Sequence, residues 1–136
     1  MYARETTPPS PTRVYADADY DLTPVRDTLA SAGWERIGDR DVEDSMDKGK
    51  IRVGRGERHV SELVVLVDEA PVDIYDMTVL FDDGTSYSPV VPQRFPIGAR
   101  SDAIRLPQPH AAIREIRFRY GAVRNGEEGN VEVWGR

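Results

Sequence analysis

The chain has 136 residues, no cysteine, 18 basic against 24 acidic residues and a net charge of −6. This is enough chain for one hydrophobic core, and it excludes disulfides, thiolate metal sites and thiol nucleophiles. The acidic balance argues against a general affinity for nucleic acid, which draws on concentrated Lys and Arg, and no run approaches the roughly 20 apolar residues of a membrane-spanning helix.

Residues 1–13 set Pro8, Pro9 and Pro11 among Ser and Thr with almost nothing to bury, which predicts a flexible Pro-rich tail ahead of a single domain over 14–136. Met1 to Glu5 is followed by no apolar signal core, so the chain as it stands carries no export signal. After the alternating Asp17, Asp19 and Asp21, Thr23 reads as a helix N-cap, Pro24 as the first helical residue and Gly33 as the stop. The expected element is a short helix near residues 24–32, leaning on a sheet through Val25 and Leu29 because so short a helix is marginal alone.

From Trp34 the pattern turns to strands. Trp34–Gly38 and Arg40–Val42 predict a strand pair or one bulged strand, Glu43–Asp47 an acidic loop, and Lys50–Gly54 a cleanly alternating strand. Leu63–Val67 is apolar on both faces and β-branched at three of five positions, as in a strand covered on both sides. Burying those side chains is worth roughly 1.5–3 kcal/mol each. In the next run Tyr75, Met77, Val79 and Phe81 fall on one face, predicting a half-exposed strand with Tyr75 in the core. Asp82-Asp83-Gly84 predicts a hairpin that returns through Thr85–Val91. Pro89, Pro92 and Pro96 confine the following segment to an edge or a crossing loop. Ser101–Leu106, Ile113–Tyr120 and Val131–Trp134 complete the set, with the last two expected to pair across Asn125-Gly126. Many short strands between Gly, Pro and Asp turns define an all-β chain: an antiparallel β-sandwich, jelly-roll-like, of about eight strands with one short N-terminal helix.

The markers in order are Trp34-x-x-Ile37-Gly38-x-Arg40-x-Val42, Ile51-x-Val53-Gly54, Val79-x-Phe81-x-x-Gly84, Ile97-Gly98, Ile104-x-Leu106, Ile113-x-x-Ile116-x-Phe118-x-Tyr120 and Val131-x-Val133-x-Gly135. This pattern resembles a family of small bacterial domains of unknown function found in short exported proteins of Gram-negative organisms. The likeness covers about residues 34–136. It implies a sandwich fold without an activity, and a periplasmic or secreted location; the lack of an export signal and the acidic segment and helix before Trp34 depart from it.

No motif specifies a reaction. Asp17, Asp19 and Asp21 have the close spacing of a calcium loop, yet the sixth and twelfth positions hold Leu22 and Thr28 where such a loop needs Gly and a carboxylate; a solvated acidic lead-in to the helix fits better. Asp41, Asp44 and Asp47 could add to a composite site only if the fold converged them. His59 and His110 lack ligand spacing, and Ser61, Ser86, Ser88 and Ser101 lack a nucleophile elbow. The arrangement of most interest is Arg117 and Arg119, opposite in face to Ile116, Phe118 and Tyr120. Pairing with Val131–Trp134 would set Glu132 and Trp134 beside them, as cross-strand support or as a binding platform.

Charge is polarised: residues 17–47 hold three Arg against ten acids, and residues 85–136 eight Arg against five acids. The expectation is a non-catalytic binding or assembly module of a larger protein complex, without a cofactor, that offers a sandwich face or loops to a protein partner. The alternative is a glycan-binding accessory domain stacking sugars on Trp34, Tyr75, Tyr87 or Trp134. A hydrolase of scattered catalytic residues would need a deep polar pocket with a carboxylate or histidine of perturbed pKa.

Overall fold

The computed structural model describes residues 21–53, 59–107, 112–124 and 126–136. The predicted tail at 1–13, the carboxylates of Asp17 and Asp19, and His110 lie outside them. Among the described residues one helix, α1 (Thr23–Ser31), precedes nine strands: β1 (Glu35–Val42), β2 (Asp47–Arg52), β3 (Glu62–Asp68), β4 (Val72–Phe81), β5 (Ser86–Tyr87), β6 (Arg94–Phe95), β7 (Ile104–Arg105), β8 (Ile113–Ala122) and β9 (Gly129–Gly135).

The strands pair as a nested hairpin whose tip is the Asp82-Asp83-Gly84 turn, where Gly84 takes a φ of +89° that side-chain-bearing residues avoid. Outward from that turn, β4 pairs with β5, β3 with β7, β2 with β8 and β1 with β9, all antiparallel. Rolled up, this hairpin gives two sheets, ordered β1-β9-β3-β7 and β2-β8-β4-β5, with β6 added beside β4. That is a jelly-roll order, and the two antiparallel sheets are the β-sandwich expected from the sequence.

The rolled topology corrects one pairing. Successive strands β8 and β9 fall in opposite sheets, so Ile113–Tyr120 and Val131–Trp134 do not pair across Asn125-Gly126. Both strands carry long alternating runs, and alternation alone does not tell a neighbour in the sheet from a neighbour across the core.

Leu63, Val65 and Val67 of β3 point into the core between the sheets, where they meet Ile74, Met77, Phe81, Ile116, Phe118 and Tyr120. Val64 and Leu66 point the other way, against Leu22, Val25, Leu29, Trp34 and Trp134. The second apolar face of this strand is thus explained by α1, which covers the first sheet. The helix begins one residue earlier than predicted: Thr23 is its first residue, and its backbone N–H donates to the Asp21 carboxylate at 2.9 Å. At the other end Arg136 stacks 4.6 Å over the Trp34 ring and donates to the Ala32 carbonyl at 3.1 Å, holding the helix C-terminus to β9.

Tyr75 is a further correction. The register of β4 against β8 shifts between Ile74 and Asp76, and this bulge turns Ile74 into the core and Tyr75 out to 41% exposure. An extra residue inverts the alternation on one side of itself. The predicted strand pair over Trp34–Val42 resolves as one strand, Glu35–Val42, bulged between Arg36 and Gly38. The return from the hairpin is ladder-paired only at Ser86 and Tyr87.

A candidate binding face

The outer surface of the second sheet is built from the outward positions of β2, β8 and β4. Lys48 lies opposite Arg119, and Lys50 opposite Arg117, across the β2–β8 ladder; Arg119 and Arg117 lie in turn opposite Asp76 and Thr78 of β4. Successive rows stand about 6.7 Å apart along the strands and adjacent strands about 4.8 Å apart. The result is a cationic lattice bordering a groove of about 490 Å³, lined by these six residues together with Arg40, Gly49 and Phe118.

Counter-charges cover only part of it. Arg119 meets Asp76 at 3.4 Å, and Arg117 Nε donates to Glu115 in a close contact. The Arg117 bond holds the Glu115 carboxyl below its ordinary value. Lys48, Lys50 and Arg52 carry no side-chain ion pair among the described residues. Thr78 and Ser88 add hydroxyls 3.2 Å apart at the border of the lattice.

On the inner side, Gly49 is required by contact. A Cβ there would lie 1.8 Å from the Tyr120 hydroxyl, so the absence of a side chain lets β2 close over a buried ring. Burial pushes that phenol up, and the hydrogen bond from Arg40 opposes the shift.

Glu132 and Trp134 sit elsewhere. They lie on the outer surface of the first sheet, beneath α1, so the predicted grouping of Arg117 and Arg119 with Glu132 and Trp134 on one face does not form. Glu132 is 1% exposed. Arg26 of the helix donates to it through Nε at 3.2 and 3.3 Å and through Nη2 at 2.5 Å. Trp134 Nε1 donates to it at 3.0 Å, and Arg26 also reaches Asp68 at 2.8 Å. The bond to Glu132 leads in raising the Arg26 guanidinium above its usual value, with Asp68 assisting. This network clamps the helix to the sheet.

The remaining candidates do not converge. Among the described residues no group of three or more His, Asp or Glu side chains is placed to hold a metal ion. Asp21 is engaged with Thr23, Asp41 with Asn130 at 2.9 Å, and Asp47 with the backbone of Lys48 at 2.8 Å. Ser101 is buried and accepts the Val65 N–H at 3.0 Å, a structural role. His59 is exposed. The groove is lined by five cations, Arg40, Lys48, Lys50, Arg117 and Arg119, against the single carboxylate of Asp76, with Thr78, Gly49 and Phe118 between them; the excess of cations suits an anionic surface. Sequence reasoning passed over Lys48 and Lys50, the only lysines of the chain. Their signal was the spacing Lys48-x-Lys50-x-Arg52, which puts three cations on one face of one strand.

These features define a small helix-capped β-sandwich with one cationic sheet face. Residues 21–135 match the domain of unknown function DUF2541, and the chain belongs to that family. Among curated proteins none matches it. Of solved structures, one reported under "Structural and functional characterization of Pseudomonas aeruginosa AlgX" is similar at 10% identity and a TM-score of 0.47. The match covers 75% of this chain and 26% of that one, so the chain spans about a quarter of the AlgX chain. No helix among the described residues is long and apolar enough to cross a membrane.

Proposed function

We propose that this chain is a non-catalytic binding module that presents the cationic face of β2, β8 and β4 to an acidic segment of a protein partner. The observation that carries the reading is the row of three exposed cations, Lys48, Lys50 and Arg52, standing beside Arg117 and Arg119 and sharing the single carboxylate Glu115 with Arg117, in a chain whose net charge is −6. Like charges about 7 Å apart repel by about 0.6 kcal/mol in bulk water before screening. The excess of positive charge over Glu115 and Asp76 therefore adds little to the sheet and favours an anionic surface that covers it. The protein reading is preferred to the glycan one because Trp34 and Trp134 are each only 7% exposed, sandwiched between helix and sheet. A stacking surface for sugars is left with Tyr75 and the half-buried Tyr87.

Titration with poly-glutamate tests the proposal. Binding at low salt that weakens steeply as salt is raised, and that falls at least about tenfold in the Lys48→Ser, Lys50→Ser double variant, is the expected result. Absence of binding at low ionic strength, or equal binding by the variant, overturns it. Export in Gram-negative bacteria belongs to the same proposal. Its support is the run of marker residues from Trp34 to Gly135, and fractionation of native cells tests it.

A further inference from the structure

β2 is the outermost strand of its sheet, and the parity of its backbone can be read from two bonds. Val53 N–H donates to the Arg114 carbonyl of the β8 segment at 3.2 Å, so the odd-numbered residues of β2 direct their backbone groups at β8. The even-numbered ones face the open edge. Lys48 N–H, which faces outward, is taken by the Asp47 carboxylate at 2.8 Å. The N–H groups of Lys50 and Arg52 and the carbonyls of Lys48, Lys50 and Arg52 have no hydrogen-bond partner among the described residues.

The same three residues therefore present both the free edge of the ladder and exposed cations. An open edge is a template for an added strand. A second copy of β2 is a poor occupant, since antiparallel self-pairing would set cation against cation.

Resting on the cationic-face reading above, we propose that the partner's acidic segment binds as an extended strand, added antiparallel to the open edge of β2, with acidic residues at alternate positions. Antiparallel addition continues the pattern of every ladder among the described residues. In such a pair the residues opposite Lys50 and Arg52 share their face and exchange backbone hydrogen bonds with them. Each acidic side chain of the partner then stands over the cationic lattice, while its own N–H bonds to β2. Charge selects the strand and the ladder fixes its register.

The test uses the full chain and a synthetic peptide of alternating Thr and Glu, with two analogues: one N-methylated at the Glu residues, the other at the Thr residues. Expected are binding of the parent peptide, slowed hydrogen exchange at the Lys50 and Arg52 amides, and at least about tenfold weaker binding for the Glu-methylated analogue alone. In the protein, Lys50→Pro removes an edge N–H without touching the β8 ladder, and it should weaken binding more than Lys50→Gln, which removes only the charge. Should Lys50→Pro fail to fold, the analogues on the unaltered chain decide. Binding in which neither analogue or both lose affinity, with the two amides unprotected, overturns strand addition and leaves the cationic face standing. Failure of the parent peptide and of poly-glutamate alike overturns both.

Discussion

The two outer surfaces of the sandwich hold similar residues in opposite circumstances. Beneath α1, the Glu132 carboxylate is buried and receives donors from Arg26 and Trp134; on the other sheet, Lys48, Lys50 and Arg52 stand exposed, and the one carboxylate opposite them, Glu115, is held by Arg117. The first arrangement is satisfied within the molecule and contributes to holding the helix in place. The second holds five cations against two carboxylates, Glu115 and Asp76, and is left with an excess of positive charge. A charge on a sheet face is therefore read by what covers it, and here the short helix makes the difference between a structural surface and an available one.

The core shared by both surfaces gives the largest expected effect. Val65 is 0% exposed and central to β3, so Val65→Asp buries an unpaired carboxylate at a cost of several kcal/mol. Circular dichroism should show an unfolded chain at room temperature. A cooperative melt near the parental temperature would break the two-sheet account itself.

Next comes the covered surface. Arg26→Ala leaves Glu132 buried with its chief partner gone, and chemical denaturation should show a loss of about 3 kcal/mol. The double variant Arg26→Met, Glu132→Leu should recover most of that loss, because apolar side chains of similar size replace a buried pair without its desolvation cost. If the single variant matches the parent, the helix is held by Val25, Leu29 and Trp34 alone and the contrast between the surfaces weakens.

Smaller still is the effect of the open surface on stability. Lys48→Ser and Lys50→Ser should each change unfolding free energy by less than about 0.5 kcal/mol, while binding of poly-glutamate falls as stated above. A marked loss of stability would mean that these cations serve the fold, and the division between the two faces would fail.

Much of the fold was legible because its signals are local. Leu63–Val67 announced a doubly covered strand, Asp82-Asp83-Gly84 a reversal, and Val25 with Leu29 a helix leaning on a sheet. What escaped reading was whatever depends on partners far along the chain. The Tyr75 bulge is set by the β8 register, and a period-two pattern carries no mark of where one extra residue breaks it. The grouping of Arg117 and Arg119 with Glu132 and Trp134 failed for a related reason. Each pair does share a face of its own strand, but the rolled hairpin places those strands in opposite layers. The site was half legible: Arg117 and Arg119 were visible as outward residues, whereas Lys48 and Lys50 gain meaning only from lying opposite them.

The smallest effect concerns acid, and it sharpens the comparison by separating repelled from paired carboxylates. Glu69 is raised by burial and by its neighbours Asp68, Asp41, Glu128 and Asp39, and Glu128 is raised chiefly by Asp41. A carboxyl raised in the folded state destabilises when ionised, so lowering the pH from neutral through these raised values should stabilise the protein slightly. Glu115, paired with Arg117, is lowered, as are Asp21 and Asp83 beside Thr23 and Thr85. Their stabilisation is present above the unfolded values and is lost as the pH falls below about 4. Thermal melts should therefore peak at mildly acidic pH. The double variant Glu69→Gln, Glu128→Gln should melt higher than the parent at pH near 7.5 and flatten the rise toward acid, keeping the fall below about 4. Gln at position 69 retains the side-chain-bearing residue at a φ of +74°, so the comparison reads charge and not backbone strain. If the double variant keeps the parental rise, the repulsion around Glu69 and Glu128 is not its source.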